Sequence, residues 1–166
     1  YSRLPSNASE NGNVGFFGAD EAWLPEDLDE RVVNKDAWSI AKGYQNINRP
    51  YHSAWNSDRS ANGYFIGLRL CNTFLENIQN ESIVRDLELD RRSRWIGEAL
   101  FLKAYYHYLL LRMYGPIPLI DKNIPVYASP EGVRVKRVPV DECVDYIAKL
   151  LDQAYEKLPA SISRPT

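Results

Sequence analysis

Glu98 is the residue that most invites a catalytic reading. It is a lone acid inside a long apolar run, Arg94 to Ile120, RWIGEALFLKAYYHYLLLRMYGPIPLI. Arg94 stands four residues before it, however, and an ion pair one helical turn apart accounts for both charges without chemistry. His107 sits among aromatics in the same run and reads as a satisfied core histidine. His52 has no Cys, His or carboxylate partner at metal-ligand spacing. Cys71 lies on an apolar stripe and Cys143 beside one, so both read as small, reduced hydrophobes, too far apart for a CxxC site or a disulfide framework. The chain contains no nucleophile elbow, phosphate loop or calcium loop. These residues predict a protein that is not an enzyme and takes neither metal nor cofactor.

The residue types that could bind lie elsewhere. The first third holds Trp23, Trp38, Tyr44, Tyr51, His52, Trp55, Asn56 and Arg59. Flat aromatic faces cover the apolar C–H face of a pyranose, while Asn, Asp and Arg hydrogen-bond its hydroxyls. The competing reading is that these aromatics are anchors beneath long loops. Trp55, Asn56 and Arg59 form the best candidate set, with Trp38 added to it. Trp55, Asn56 and Arg59 stand in the most polar of the aromatic loops, just before a helix, with no local apolar periodicity to bury the indole. Trp55 is therefore expected to be partly exposed at the mouth of a loop-lined cleft.

The elements that must position these residues follow from periodicity. From Trp95 to Tyr114 the sequence has no Pro, one Gly and a run of good helix formers. Gly115 and Pro116 then end it. Trp95, Ala99, Leu102, Tyr106, Leu109 and Met113 form one stripe. Ile96, Leu100, Ala104, Leu111 and Tyr114 form another on the far side. Arg94, Glu98 and Arg112 share a narrow third strip with Phe101, Tyr105 and Tyr108. A helix apolar on two opposed sides is packed by neighbours on both, as in stacked helix pairs. Its Glu98, Lys103 and Arg112 exclude a membrane span.

Before this helix, Gly63 to Asn80 reads as a helix with Tyr64, Leu68, Cys71, Leu75 and Ile78 on one face, and Ala37 to Asn46 as a short helix capped by Asp36 and broken by Asn48-Arg49-Pro50. Glu81 to Arg94 is a charged linker or helix start. After it, Asp121 to Arg137 is a long connection whose Val133, Val135 and Val138 allow one strand-like piece. The last helix opens at Pro139, with Asp141 and Glu142 in its first turn and Val144, Ile147, Leu151, Ala154 and Leu158 as its apolar stripe. Residues 1–62 thus form an irregular, loop-rich segment and 63–166 a helical part of one region. With 45% hydrophobic residues among 166, the chain is no disordered tail. With net charge −2 and no long basic run, nucleic acid is not expected as a partner. No secretory signal and no run of 18 apolar residues is present.

Three segments, in order, resemble the SusD/RagB family. Glu98-Ala-Leu-Phe-Leu-Lys-Ala-Tyr-Tyr, then Leu110, Arg112 and Tyr114-Gly115-Pro116-Ile117-Pro118-Leu119-Ile120, is similar to its pattern E-x-x-F-L-R-A-x-x-Y followed by Y-G-x-V-P-L. Lys103 stands where that pattern usually has Arg. Tyr64, Ile66, Arg69, Cys71-Asn72, Phe74-Leu75 and Ile78 resemble an earlier helix of the family. Arg137 to Pro159 resembles a later one, with Pro139 in place of Ser or Thr. Residues 1–60 match only through Asp20-Glu21 and their tryptophans. The resemblance implies an all-α fold of tetratricopeptide-like helix pairs in a superhelical array. It implies a surface-exposed, lipid-anchored outer-membrane protein that captures an oligosaccharide and hands it to a SusC-like TonB-dependent transporter. Family members are much longer, so the chain is expected to be an N-terminal portion, and the lipidated anchoring cysteine is not present in it. The alternatives are peptide capture on the same architecture and a helical protein-interaction scaffold whose aromatics are only core.

Overall fold

The computed structural model describes residues 39–48, 55, 63–80, 82 and 84–161. The chain divides into two compact units, Tyr1–Gly63 and Tyr64–Thr166. In the first, residues 39–41 are helical and the helix closes at Gly43. The Gly43 N–H donates to Ile40 O and the Tyr44 N–H to Ser39 O, both at 2.9 Å, with Gly43 at φ 77°. This pair of hydrogen bonds around a left-handed glycine is a complete helix stop. The helix expected to reach Asn46 therefore ends earlier: Gly43 adopts the left-handed turn at no steric cost, before Pro50 can act.

The second unit is built from α1 (Tyr64–Ile78), α2 (Leu89–Tyr114) and α3 (Val140–Lys157). The fold is all-α, and no strand occurs among the described residues. α2 packs between the other two. Gly67 of α1 faces Tyr106 of α2, and the end of α1 meets Arg92, so these helices run antiparallel. Gly97 of α2 faces Leu158, just past the end of α3, while Ala104 clusters with Ile147 and Leu150, so α2 and α3 are antiparallel too. The two opposed stripes of α2 thus each find a neighbour. Ala99, Ala104, Tyr106, Leu109 and Leu110 are buried, and Leu102 and Leu111 are half-buried.

Glycine sets the closest approaches. A Cβ on Gly67 would lie 2.8 Å from the Tyr106 ring, and one on Gly97 would lie 2.9 Å from Leu158 Cγ. The ring of Tyr64 meets that of Tyr106 at 6.1 Å between centroids.

In this unit two elements differ from the sequence reading, the face of α3 and the strand-like piece, and the start of α2, left open between linker and helix, is resolved. α2 starts at Leu89, six residues before Trp95. The charged run Asp90 to Arg94 carries no apolar period, yet it works at the joint: the Arg92 guanidinium donates to Ile78 O at 2.9 Å and Gln79 O at 3.0 Å. α1 has no basic residue in its own last turn, so α2 supplies the cation that its C-terminal carbonyls favour. α3 buries Cys143, Ile147, Leu150 and Ala154, leaving Val144 and Leu151 exposed. The face is turned toward Cys143 and Tyr146 because both reach the segment that follows α2. The strand-like piece also fails to form. Val133 and Val135 are exposed, and one backbone bond, from the Val138 N–H to Ile117 O at 3.0 Å, joins this piece to the segment after α2. A single bond makes no ladder.

Candidate functional site

The polar chemistry of the helical unit converges on seven residues, Ile117 to Asn123, directly after α2. Gly115 releases the chain from the helix at φ 67°, with its N–H bonded to Leu111 O at 2.9 Å. Pro116 and Pro118 hold the next residues extended, where their backbone groups have no helical partners. Side chains from all three helices supply them. From α1, Asn72 Nδ2 donates to Ile120 O at 3.3 Å, and Asn123 Nδ2 reaches back to Thr73 Oγ1 at 2.9 Å and Arg69 O at 3.3 Å. From α2, Lys103 Nζ donates to Asp121 O at 2.6 Å and approaches Asp121 Oδ1 at 3.4 Å. From α3, the Tyr146 hydroxyl donates to Asp121 Oδ1 at 3.0 Å, and the Cys143 thiol points at Ile117 O at 3.8 Å.

His107 completes the set and has no capacity left over. The Ile120 N–H donates to its Nε2 at 3.2 Å, so Nε2 is the unprotonated nitrogen. Nδ1 then carries the hydrogen and donates to Lys103 O at 2.8 Å. The ring is fully buried, with its edge against Tyr146 at 5.2 Å. Burial pushes its pKa down to about 4, which the bond to Lys103 O only partly opposes. A neutral imidazole with both nitrogens engaged is neither a metal ligand nor a proton shuttle.

Lys103 is 3% exposed, and burial lowers its pKa, with Asp121 opposing. Burial also works to raise the Asp121 carboxyl, but the Lys103 ammonium and the Tyr146 hydroxyl hold it below its ordinary value. Asn72 Oδ1 is buried without a protein hydrogen-bond partner. The arrangement fixes backbone rather than turning over a substrate. Glu98 is likewise committed: Arg94 Nε lies 2.8 Å from its Oε1, and both side chains face solvent. Among the described residues no group of three His, Cys, Asp or Glu could hold a metal ion, and no helix is long and apolar enough to cross a membrane.

Of the sequence-chosen binding residues, Trp55 is half-buried at a bend and belongs to the first unit. Trp38, Asn56 and Arg59 lie outside the described residues. The strip on α2 that carries Arg94 and Glu98 continues as an aromatic row. Phe101 and Tyr105 rings are 6.2 Å apart and nearly parallel, Tyr105 and Tyr108 are 6.3 Å apart, and Arg112 lies over Tyr108.

A sequence model of the SusD-like family described as "Starch-binding associating with outer membrane" matches residues 11–166. The chain belongs to the SusD-like family. A SusD-like protein from Bacteroides fragilis of known structure is 32% identical over 61% of this chain, with a TM-score of 0.52. A laminarin-binding SusD-like protein superposes on 92% of it with a TM-score of 0.65, at 17% identity, and so shares the fold. The chain spans 18% of the first of these proteins and 30% of the second. None of the curated proteins matches it. Within this SusD-like chain, sequence reasoning missed Lys103, Asp121, Tyr146 and Asn72 as one network. The available signal was Lys103 itself, a lone cation on the apolar part of a two-sided helix, which needs a partner when buried.

Proposed function

We propose that this chain is part of a cell-surface glycan-binding protein that captures an oligosaccharide at the outer membrane and delivers it to a TonB-dependent transporter. The match over residues 11–166 to a family described as starch-binding and outer-membrane associated carries this reading. The laminarin-binding fold neighbour supports the ligand class. In this proposal α1 to α3 are the start of a tetratricopeptide-like superhelical array that acts as a rigid scaffold. Trp55 provides the stacking platform, with Asn56, Arg59 and Trp38 beside it. A lipid anchor holds the protein at the surface. The protein binds and does no chemistry: the ion-paired Glu98 and the doubly bonded His107 favour that reading over an enzyme.

The test is a panel of starch, laminarin and other oligosaccharides titrated into the full-length protein, with tryptophan fluorescence as readout. Saturable binding of at least one glycan is expected. A full-length protein that ignores every glycan and binds peptides in the same assay would move the reading to peptide capture.

A further inference from the structure

One acceptor is left over from the network around Ile117 to Asn123. Asn72 is 2% exposed, and its Oδ1 has almost no accessible surface and no protein donor. Turning the amide over gives no relief. Nδ2 donates to Ile120 O at 3.3 Å, and the reversed amide would set two acceptors against each other there. A buried carbonyl oxygen without a donor gives up its hydration for nothing, so folded interiors almost always answer it. Burial also limits the answer. No segment or partner approaching from outside reaches Oδ1, so the donor is enclosed with it.

A donor with capacity to spare stands close by. The Lys103 ammonium carries three hydrogens. It gives one to Asp121 O at 2.6 Å and lies 3.4 Å from Asp121 Oδ1, too far for a good hydrogen bond. The carbonyls that Asn72 and Lys103 engage belong to consecutive residues, Ile120 and Asp121, which draws the amide and the ammonium together. After the larger effects of burial and Asp121, the ammonium also feels Cys71 and Glu76, which lie beside Asn72 on α1 and one turn beyond it. Donor and acceptor are both buried, yet they do not bond to each other. Whatever joins them must accept from the ammonium and donate to Oδ1. A metal cation has no hydrogen to give and is repelled by the ammonium, and an anion is repelled by Oδ1. We infer that a single enclosed water molecule bridges Lys103 Nζ and Asn72 Oδ1. Ile120 O keeps a second lone pair for the water's other hydrogen, which brings the water to three partners, the usual number for a buried one. The segment after α2 is then pinned to α1 by internal solvent as well as by side chains. This inference is independent of the glycan reading.

The test is a crystal structure of the full-length protein at near-atomic resolution, from crystals grown with and without thallium(I). A single round peak of density is expected within hydrogen-bond distance of both Lys103 Nζ and Asn72 Oδ1, with no anomalous signal from thallium. In solution, magnetic relaxation dispersion of the water oxygen nucleus counts long-lived internal waters. Asn72→Leu, which keeps the bulk of the side chain without its acceptor, is expected to lose one of them. A direct bond from Nζ to Oδ1 overturns the inference. So does a thallium peak at the site, which would make the occupant a monovalent cation, or a donor from another part of the chain on Oδ1. An unchanged count of internal waters in Asn72→Leu also overturns it. Should that variant fail to fold, the density in the wild-type protein decides alone.

Discussion

Lys103 and Asp121 are partners of unequal burial, and deleting one should not cost the same as deleting the other. The Lys103 side chain is 4% exposed and that of Asp121 68%. Lys103→Met keeps the packed stem and removes the buried charge. It leaves Asp121 O without its 2.6 Å donor, at a cost of about 1–3 kcal/mol for an unsatisfied carbonyl. Relief of the buried ammonium offsets part of that, so the net loss should be about 1 kcal/mol. Asp121→Ala does the reverse. The ammonium stays buried with a carbonyl but no counter-ion, and the Tyr146 hydroxyl loses its acceptor. Breaking a fully buried pair costs about 3–5 kcal/mol, and the exposure of Asp121 should bring this to about 2–3 kcal/mol. Urea unfolding at pH 7, with unchanged slopes, measures both. The double variant should be more stable than Asp121→Ala alone, because the stranded charge is gone. If Lys103→Met costs as much as Asp121→Ala, or the two costs simply add, the carboxylate is not what keeps the ammonium buried.

The remaining predictions concern other parts of the helical unit. The folded-state pKa of His107 is depressed to about 4 from 6.5, so below pH 6.5 the unfolded chain takes up a proton that the folded chain refuses. Stability should therefore fall as pH drops from 6.5 to 4, by up to roughly 3 kcal/mol, and His107→Gln should flatten that part of the curve in unfolding measured against pH. Gly67→Ala should destabilise by about 1–3 kcal/mol through overpacking against the Tyr106 ring; an unchanged urea midpoint would mean that the ring moves aside freely. Cys71 is buried with its thiol pKa pushed up to about 11 by desolvation, and Cys143 is buried as well. Native protein should resist iodoacetamide at both, and its intact mass should not change on reduction.

What the sequence disclosed depends on the range of the interaction concerned. The opposed stripes of α2 are local periodicity, and they gave its place between two helices. The Arg94–Glu98 pair is one turn long and was equally legible. Lys103 and Asp121 are 18 residues apart and meet only because Gly115 and Pro116 turn the chain back along the helix. No periodicity encodes that meeting. The start of α2 stayed open between linker and helix for a related reason: Arg92 serves the end of α1, 14 residues earlier, rather than any face of its own helix. On α3 the buried face is turned by one residue, from Val144 and Leu151 to Cys143 and Leu150. Apolar content could not separate these positions; the pull of Ile117 on Cys143 and of Asp121 on Tyr146 did. Of the proposed sugar site only Trp55 lies among the described residues.

That site carries the central claim, and Trp55→Ala tests it most directly. Titration of the full-length protein with laminarin and starch oligosaccharides should give saturable binding to at least one of them. The loss of one stacking ring should weaken that binding by on the order of 1 kcal/mol, about fivefold, with the melting temperature nearly unchanged. Undiminished glycan affinity in the Trp55→Ala protein, or a variant that unfolds without a separate loss of affinity, would contradict the account and return Trp55 to the core.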